Sequence, residues 1–480
     1  MNLLGNFING EQLASESERQ SAVYNPATGE HTLNVSLSTA DEAKAAITVA
    51  QIAFESWSKV TPLNRARVLF KFKALVEDNI DELAQMITLE HGKVLSDAKG
   101  ELTRGIEVVE FACGIPHLLK GEHSLNVGRG VDSFSLMQPL GVCAGISPFN
   151  FPVMVPMWMF PIAIAAGNTF IMKPSEKDPS VIMRIAELLK EAGLPDGVFN
   201  IVNGDKESVD VLLEDKRVQA VSFVGSTPIA EYIYSTGSKY GKRVQALGGA
   251  KNHLLVMPDA KVEQVTSALM GAAYGSAGER CMAISVAVAV GDIADALVDK
   301  LAEKARTLKI GNGAEKGLDM GPLVTAEHRD KVLGYIEDGV KAGATLVADG
   351  RDLQVSGYEE GYFVGGCLFD NVTAEMRIYQ EEIFGPVLAI SKFSNIDDGI
   401  RQANDCDYGL AAYVQTTNDK TADEASCRLK AGMVQVNGTS RAPGAPFGGV
   451  KASGCGREAG IWGIRAYQEI KSISGTKQQN

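Results

Sequence analysis

Between residues 140 and 240 the chain alternates short, almost wholly apolar runs with longer amphipathic ones. The runs at 141–146, 169–172, 198–202 and 220–224 predict strands buried on both faces, and the stretches 153–166, 181–192, 209–213 and 228–238 have helical spacing. Such βαβ alternation predicts a parallel, doubly wound sheet, whose ligands sit at the carboxyl ends of the strands. The turns at 147–150, 173–176 and 225–227 are therefore the places to look for binding. A second alternation begins near Leu254, with strands near 284–290 and 386–391 and helices near 261–270, 293–306, 326–342 and 420–430. It predicts a second α/β domain.

The first 120 residues read mostly as a helical cover. Short strands are expected at 7–10 and 24–29, where Asn-Gly and Asn-Pro mark turns. Thr39-Ala-Asp-Glu42 is a capping box that opens a helix over 43–57, and 63–90 reads as further helix ending at His91-Gly92. No charge occurs from Ser133 to Met172, but prolines 139, 148, 152, 156 and 161 interrupt the stretch. A buried strand, turn and helix fit that punctuation better than a membrane span.

Composition narrows the class. A chain of 480 residues needs two or three domains, and 45% hydrophobic with 22% charged residues is ordinary for a globular enzyme. A formal net charge of -13 disfavours a nucleic-acid surface. Seven scattered cysteines without a CxxC pair suggest a reducing compartment and no structural zinc. The first residues lack a basic segment with a long apolar core, so a cytoplasmic location is the default expectation.

Candidate chemistry centres on Cys281, set among small residues with glycines at 271, 275 and 278. Arg280 beside it is expected to favour the thiolate, where packing alone would not call for a charge. Asn150, in a turn pinned by Pro148 and Pro152, can donate to a developing oxyanion together with the Cys281 N–H. Gly225-Ser226 ends a strand and opens a helix, where free amides suit a pyrophosphate. Lys173 and Glu176 follow another strand, and Glu176 suits the ribose hydroxyls of NAD while repelling a 2′-phosphate. Glu382 and Phe384 precede a Gly-Pro turn in the second domain and suit a ribose and a nicotinamide. No histidine is close in sequence to Cys281.

Taken together these residues resemble the aldehyde dehydrogenase superfamily. The matching blocks run nearly the whole length: Pro148-Phe-Asn-Phe-Pro, Lys173-Pro-Ser-Glu, Phe223-Val-Gly-Ser-Thr, Gly248-Gly-Ala-Lys, Gly278-Glu-Arg-Cys, Glu382-Ile-Phe-Gly-Pro and Pro446-Phe-Gly-Gly-Val-Lys-Ala-Ser-Gly. The resemblance implies a Rossmann-type NAD-binding domain over 1–121 and 139–246, a catalytic α/β domain over 247–465, and a small β lobe from 122–138 and 466–480 that joins a dimer or tetramer. It also implies that Cys281 attacks an aldehyde, that Asn150 stabilises the hemithioacetal oxygen, and that Ser147, Phe149, Lys173, Glu176, Gly225, Ser226, Glu382 and Phe384 hold NAD. Ala230 replaces the last glycine usual in the Gly-Ser-Thr helix.

The finer resemblance is to the CoA-acylating methylmalonate-semialdehyde dehydrogenases, through Arg104-Gly-Ile-Glu-Val-Val-Glu-Phe, Trp158-Met-Phe-Pro, Gly249-Ala-Lys-Asn-His and Gly278-Glu-Arg-Cys-Met-Ala. Hydrolytic members carry a glutamate base where this chain has Ala246 or Leu247, and no Glu occurs between Tyr232 and Val262. Without that base CoA becomes the natural acyl acceptor. The branch's two substrate-carboxylate arginines fall on Arg104 and Arg280, and paired guanidinium groups suit a carboxylate. The segment 438–449 departs from the branch and reads like hydrolytic members, with Arg441 a further candidate anion contact. The expectation is NAD-dependent oxidation of malonate or methylmalonate semialdehyde to an acyl-CoA with decarboxylation. The alternatives are a hydrolytic dehydrogenase of a small acidic aldehyde, such as succinate semialdehyde, and a cofactor-free cysteine hydrolase.

Overall fold

The structure is a computed structural model that describes residues 2–439, 442 and 444–476. Its first sheet has eight strands in the order Gly454–Cys455, Arg243–Leu247, Val218–Val224, Val142–Ile146, Thr169–Lys173, Phe199–Ile201, Asn6–Ile8 and Glu11–Leu13. The five middle strands are parallel, with Ala144 in register between Val221 and Ile171. Val142–Ile146 and Thr169–Lys173 are buried at every residue, as two helical layers require. The doubly wound expectation holds, and each outer edge is closed by antiparallel pairing.

The second sheet runs Thr345–Ala348, Cys367–Asp370, Val387–Phe393, Ile284–Val290, Asn252–Val256, Ala411–Gln415 and Met433–Val436, parallel except for the first strand. Four of these strands escaped the periodicity, each being five residues or fewer. Gly454–Cys455, expected in the second domain, instead pairs with Ala246 and Leu247 at the edge of the first sheet.

Among the helices, Ala40–Trp57 starts at the expected capping box, where Thr39 accepts from the Glu42 amide and the Glu42 carboxylate accepts from the Thr39 N–H. The single helix expected over 63–90 is two, Pro62–Asp78 and Ile80–His91. The break has a local cause: the Asn79 side-chain amide donates to the Leu75 carbonyl at 2.7 Å and ends the first helix. The strand expected at 24–29 is mostly the turn between Gln20–Asn25 and Glu30–Ser36. Helix Met154–Ala165 is buried along its whole length, as its lack of charge predicts. Among the described residues no helix is long and apolar enough to cross a membrane.

The expected small lobe is a three-stranded antiparallel sheet of Gln468–Thr476, Val131–Pro139 and His123–Gly128. Residues 477–480 of that expectation, and Arg441, lie outside the described residues.

Candidate active site

Cys281 lies in the irregular passage that follows helix Val262–Leu269, where one π turn and one 3-10 turn replace regular helix. Ser276 and Ala277 both hold φ of 53°, a left-handed conformation that costs a non-glycine residue energy and persists only when surroundings enforce it. Part of that enforcement is Asp97, whose carboxylate accepts from the Ser276 N–H at 2.9 Å. Gly278 has φ of 75°, and a Cβ there would stand 2.1 Å from the Gly385 carbonyl oxygen. Its hydrogen side chain lets the Glu382–Pro386 turn rest on the cysteine loop, so that Cys281, Glu382 and Phe384 line one crevice.

The Asn150 side-chain amide donates to the Glu279 carbonyl at 3.0 Å and reaches the Cys281 sulfur at 3.5 Å. The expected pairing of these residues across the two α/β units is therefore present. Burial pushes the Cys281 thiol up to about 11, and Glu382 pushes the same way; the Asn150 amide, the Cys281 N–H and the Lys93 ammonium pull it back. Arg280, expected from its place in the sequence to support the thiolate, turns its guanidinium to another partner. Its guanidinium pairs with Asp97 at 2.8 Å and donates to the Gly271 carbonyl at 3.1 Å.

A cavity of about 330 Å³ opens beside the sulfur, lined among others by Arg104, Arg280, Lys93, Glu101 and Trp158. Arg104 and Arg280, 176 positions apart in sequence, thus share one cavity with Cys281. Arg104 is exposed, and helix Leu95–Cys113 carries it together with Asp97 and Glu101. Asp97 and the buried Lys93–Glu101 ion pair at 2.7 Å had no signature in the sequence. Beneath the loop, the buried Glu279 carboxyl lies 3.9 Å from His91 and 3.6 Å from His328. Burial holds Glu279 up at about 8 and keeps both histidines neutral. That grouping joins three separate stretches, so no spacing could reveal it.

On the first sheet's carboxyl edge, Lys173 and Glu176 pair at 3.1 Å. Burial opposes ionisation of Glu176, but Lys173, its own N–H and Lys177 together hold it below the usual carboxylate range. Helix Thr227–Lys239 begins at Ser226 without a side-chain cap, leaving its first amides open to an anion. The buried Ser147 hydroxyl has no hydrogen-bond partner among the described residues. Glu382 accepts from the Ala250 N–H at 2.9 Å, and burial raises it to about 7. Phe384 has φ of 58°, and His328 Nε2 donates to its carbonyl at 2.7 Å. The Phe149 ring meets Phe384 edge-on at 5.9 Å between centroids. Open amides, an unpartnered hydroxyl, a cation–carboxylate pair and two rings are a set that fits a dinucleotide.

The two positions at which the base is missing face opposite sides of the sheet. Adjacent strand residues face opposite ways, and Ala246 enters the core beneath helices Ala40–Trp57 and Thr227–Lys239. Leu247 instead joins the core that holds helix Met154–Ala165 and against which Cys281 packs. Both positions are buried and apolar, so neither offers a carboxylate to activate water.

The chain is similar to known proteins along nearly its whole length. The chain is 54% identical over 479 residues to a malonate-semialdehyde dehydrogenase of Pseudomonas aeruginosa, covering 99% of this chain and 96% of that one. A crystal structure of a methylmalonate-semialdehyde dehydrogenase from Oceanimonas doudoroffii matches with a TM-score of 0.98 and 52% identity, covering 100% of this chain and 99% of that one. One from Sinorhizobium meliloti, provisionally assigned the same activity and complexed with NAD, matches with a TM-score of 0.98 and 48% identity, covering 100% and 99%. The model of the aldehyde dehydrogenase family matches residues 13–473. With that match spanning both sheets and the cysteine loop between them, the chain belongs to the aldehyde dehydrogenase family.

Proposed function

We propose that this protein is an NAD-dependent, CoA-acylating dehydrogenase that converts malonate or methylmalonate semialdehyde to an acyl-CoA with loss of carbon dioxide. The observation that carries the reading is that Ala246 and Leu247, the two positions at which a hydrolytic relative's carboxylate would fall, are both apolar and buried. The names of the Pseudomonas and Oceanimonas relatives supply the substrate class.

In the proposed cycle the Cys281 thiolate adds to the aldehyde carbon, and the Asn150 amide with the Cys281 N–H receives the developing oxyanion. Arg104 and Arg280 take the substrate's carboxylate. Ser147, Phe149, Lys173, Glu176, Gly225, Ser226, Glu382 and Phe384 would hold NAD, which when bound supplies the hydride acceptor. The acyl group stays on Cys281 as a thioester, the β-carboxylate leaves as carbon dioxide, and a proton replaces it. The CoA thiolate then attacks the thioester carbonyl and the Cys281 thiolate leaves. In this reading 1–121 and 139–246, with the strand Gly454–Cys455, form the cofactor unit, 247–465 otherwise forms the catalytic unit, and the small lobe joins protomers in a dimer or tetramer. The seven unpaired cysteines suit a reducing, cytoplasmic setting.

NADH formation by the purified protein, followed with and without CoA, tests the proposal: steady-state turnover is expected to require CoA, and equal turnover without it overturns the acylating reading. A second reading, hydrolysis to the free acid, rests on Glu382. Its raised carboxyl shares a crevice with Cys281 and is a candidate base. CoA-independent turnover that disappears in Glu382→Gln while NAD still binds would favour that reading.

A further inference from the structure

Lys93 and Glu101 have no solvent exposure in their side chains, yet both border the cavity that holds Cys281. A buried ion pair is a poor source of stability, because desolvating two charges offsets most of their attraction and apolar residues often do as well. Its retention here has a visible geometric use. Lys93 Nζ donates to Glu101 at 2.7 Å and to the backbone carbonyl of Asn150 at 2.7 Å. The other Glu101 oxygen accepts from the Val153 and Met154 N–H groups at 2.9 and 3.1 Å. Those amides open helix Met154–Ala165, whose N-cap Val153 has no side-chain oxygen to offer them. One ion pair thus holds both ends of the turn from Asn150 to Met154, with the Phe151 ring 4.5 Å from the ammonium.

The Lys93 backbone is fixed from the other α/β unit. A Cβ on Gly313 would stand 2.5 Å from the carbonyl oxygens of Gly92 and Lys93, and one on Gly321 would stand 2.0 Å from that of Gly92. The Leu95 N–H also donates to the Gly313 carbonyl at 3.1 Å. The segment is therefore seated on the unit that carries Cys281, while its side chain grips the turn that carries Asn150.

We infer that the Lys93–Glu101 pair is a positioning device that fixes the Asn150 amide over Cys281, and that Lys93 supplies the positive potential supporting the thiolate. The inference rests on the roles proposed above for Cys281 and Asn150, and does not depend on which acceptor removes the acyl group. Arg280, held by Asp97 at the cavity wall, is assigned to the substrate. Of the other charged groups around the sulfur, Glu382 opposes the thiolate. The Glu279 carboxyl is turned to His91 and His328, and Asp97, Arg104 and Glu107 line the cavity.

The test compares Lys93→Met, Glu101→Gln and Arg280→Leu in the full-length protein. Alkylation of Cys281 by iodoacetamide is followed against pH by mass spectrometry of its peptide, alongside kcat, KM and NAD binding. Lys93→Met is expected to bind NAD as the parent does, to move the alkylation midpoint up by about one pH unit, and to lower kcat about 100-fold with little change in KM. Glu101→Gln should also lower kcat, because Lys93 loses the partner that holds it on the Asn150 carbonyl, whereas removal of an anion should not raise the midpoint. Arg280→Leu should leave the midpoint in place and raise KM for the acidic aldehyde. A Lys93→Met protein that binds NAD normally with unchanged midpoint and kcat overturns the inference. Should Lys93→Met fail to fold, a parental kcat in Glu101→Gln overturns it equally. CoA-independent turnover in the parent would overturn the acylating reading alone and leave these outcomes to be judged on their own.

Discussion

Single residues at this site are set by burial more than by sequence neighbours. Glu279 shows the consequence most directly. Burial is the largest influence on its carboxyl and holds it up at about 8, against weaker opposing pulls from the Val324 N–H, Lys177 and Lys93. An unfolded glutamate titrates near the ordinary carboxylate value, so the folded protein keeps this proton over a higher range. The stability contributed by the neutral acid is complete below the unfolded value and is lost as pH rises toward 8. Between pH 6.5 and 8 the loss is about 2 kcal/mol, at about 1.4 kcal/mol per pH unit. Glutamine mimics the neutral acid, so Glu279→Gln should show a thermal midpoint that falls less over that window than the parent's. Parallel pH curves for the two proteins would show that Glu279 does not titrate there. Cys281 and Asn150 were legible as residues because each stands in a distinctive local setting, a small-residue loop and a proline-pinned turn. Glu279, His91, Lys93 and Glu101 were not, since what they do depends on partners supplied by separate segments. Arg280 marks the limit of adjacency: it is next to the sulfur in sequence, but its side chain reaches Asp97.

At the scale of elements, the signals that succeeded were local ones. The capping box of Ala40–Trp57 and the apolar strands of the first sheet follow from backbone satisfaction and two-faced burial. Those that failed needed tertiary contacts, as with the short strands Cys367–Asp370 and Ala411–Gln415, which form only because neighbours already flank them. The turn over 382–386 shows how elements fix one another. Phe384 is held at positive φ, and the short bond from His328, on helix Ala326–Lys341, to its carbonyl ties that turn down. Burial lowers His328 to about 4, so the ring stays neutral at neutral pH and Nε2 carries the donated proton. His328→Ala removes one buried hydrogen bond, worth about 1 kcal/mol or somewhat more. The expected result is NAD binding weakened up to about tenfold, with the Cys281 alkylation midpoint unmoved. A calorimetric titration returning the parental Kd would show that the turn holds without this bond.

For the whole molecule, the features that define the site lie where the two sheets meet, while the small lobe stands apart from them with its apolar side chains uncovered. Every residue of His123–Gly128 is exposed, and Leu125, Val127 and Ile470 are 65%, 57% and 55% exposed. In the sheet order, His123–Gly128 and Gln468–Thr476 are the two outer strands, each pairing among the described residues only with Val131–Pro139. Both therefore present an open row of backbone donors and acceptors beside apolar side chains, a combination that natural sheets cover. The alternation of 122–138 and 466–480 was legible in the sequence; which edges stay open was not, because that depends on the strand order. A chain with a net charge of -13 repels its own copies at long range, so association must draw on short-range contacts such as these. Replacing Leu125 and Ile470 together by glutamate places charge on both outer strands. Light scattering after size exclusion should then report a smaller assembly than the parent's, and because the cofactor turns lie on the first sheet, NAD binding per protomer should persist. An unchanged mass would show that the lobe is not what joins the protomers.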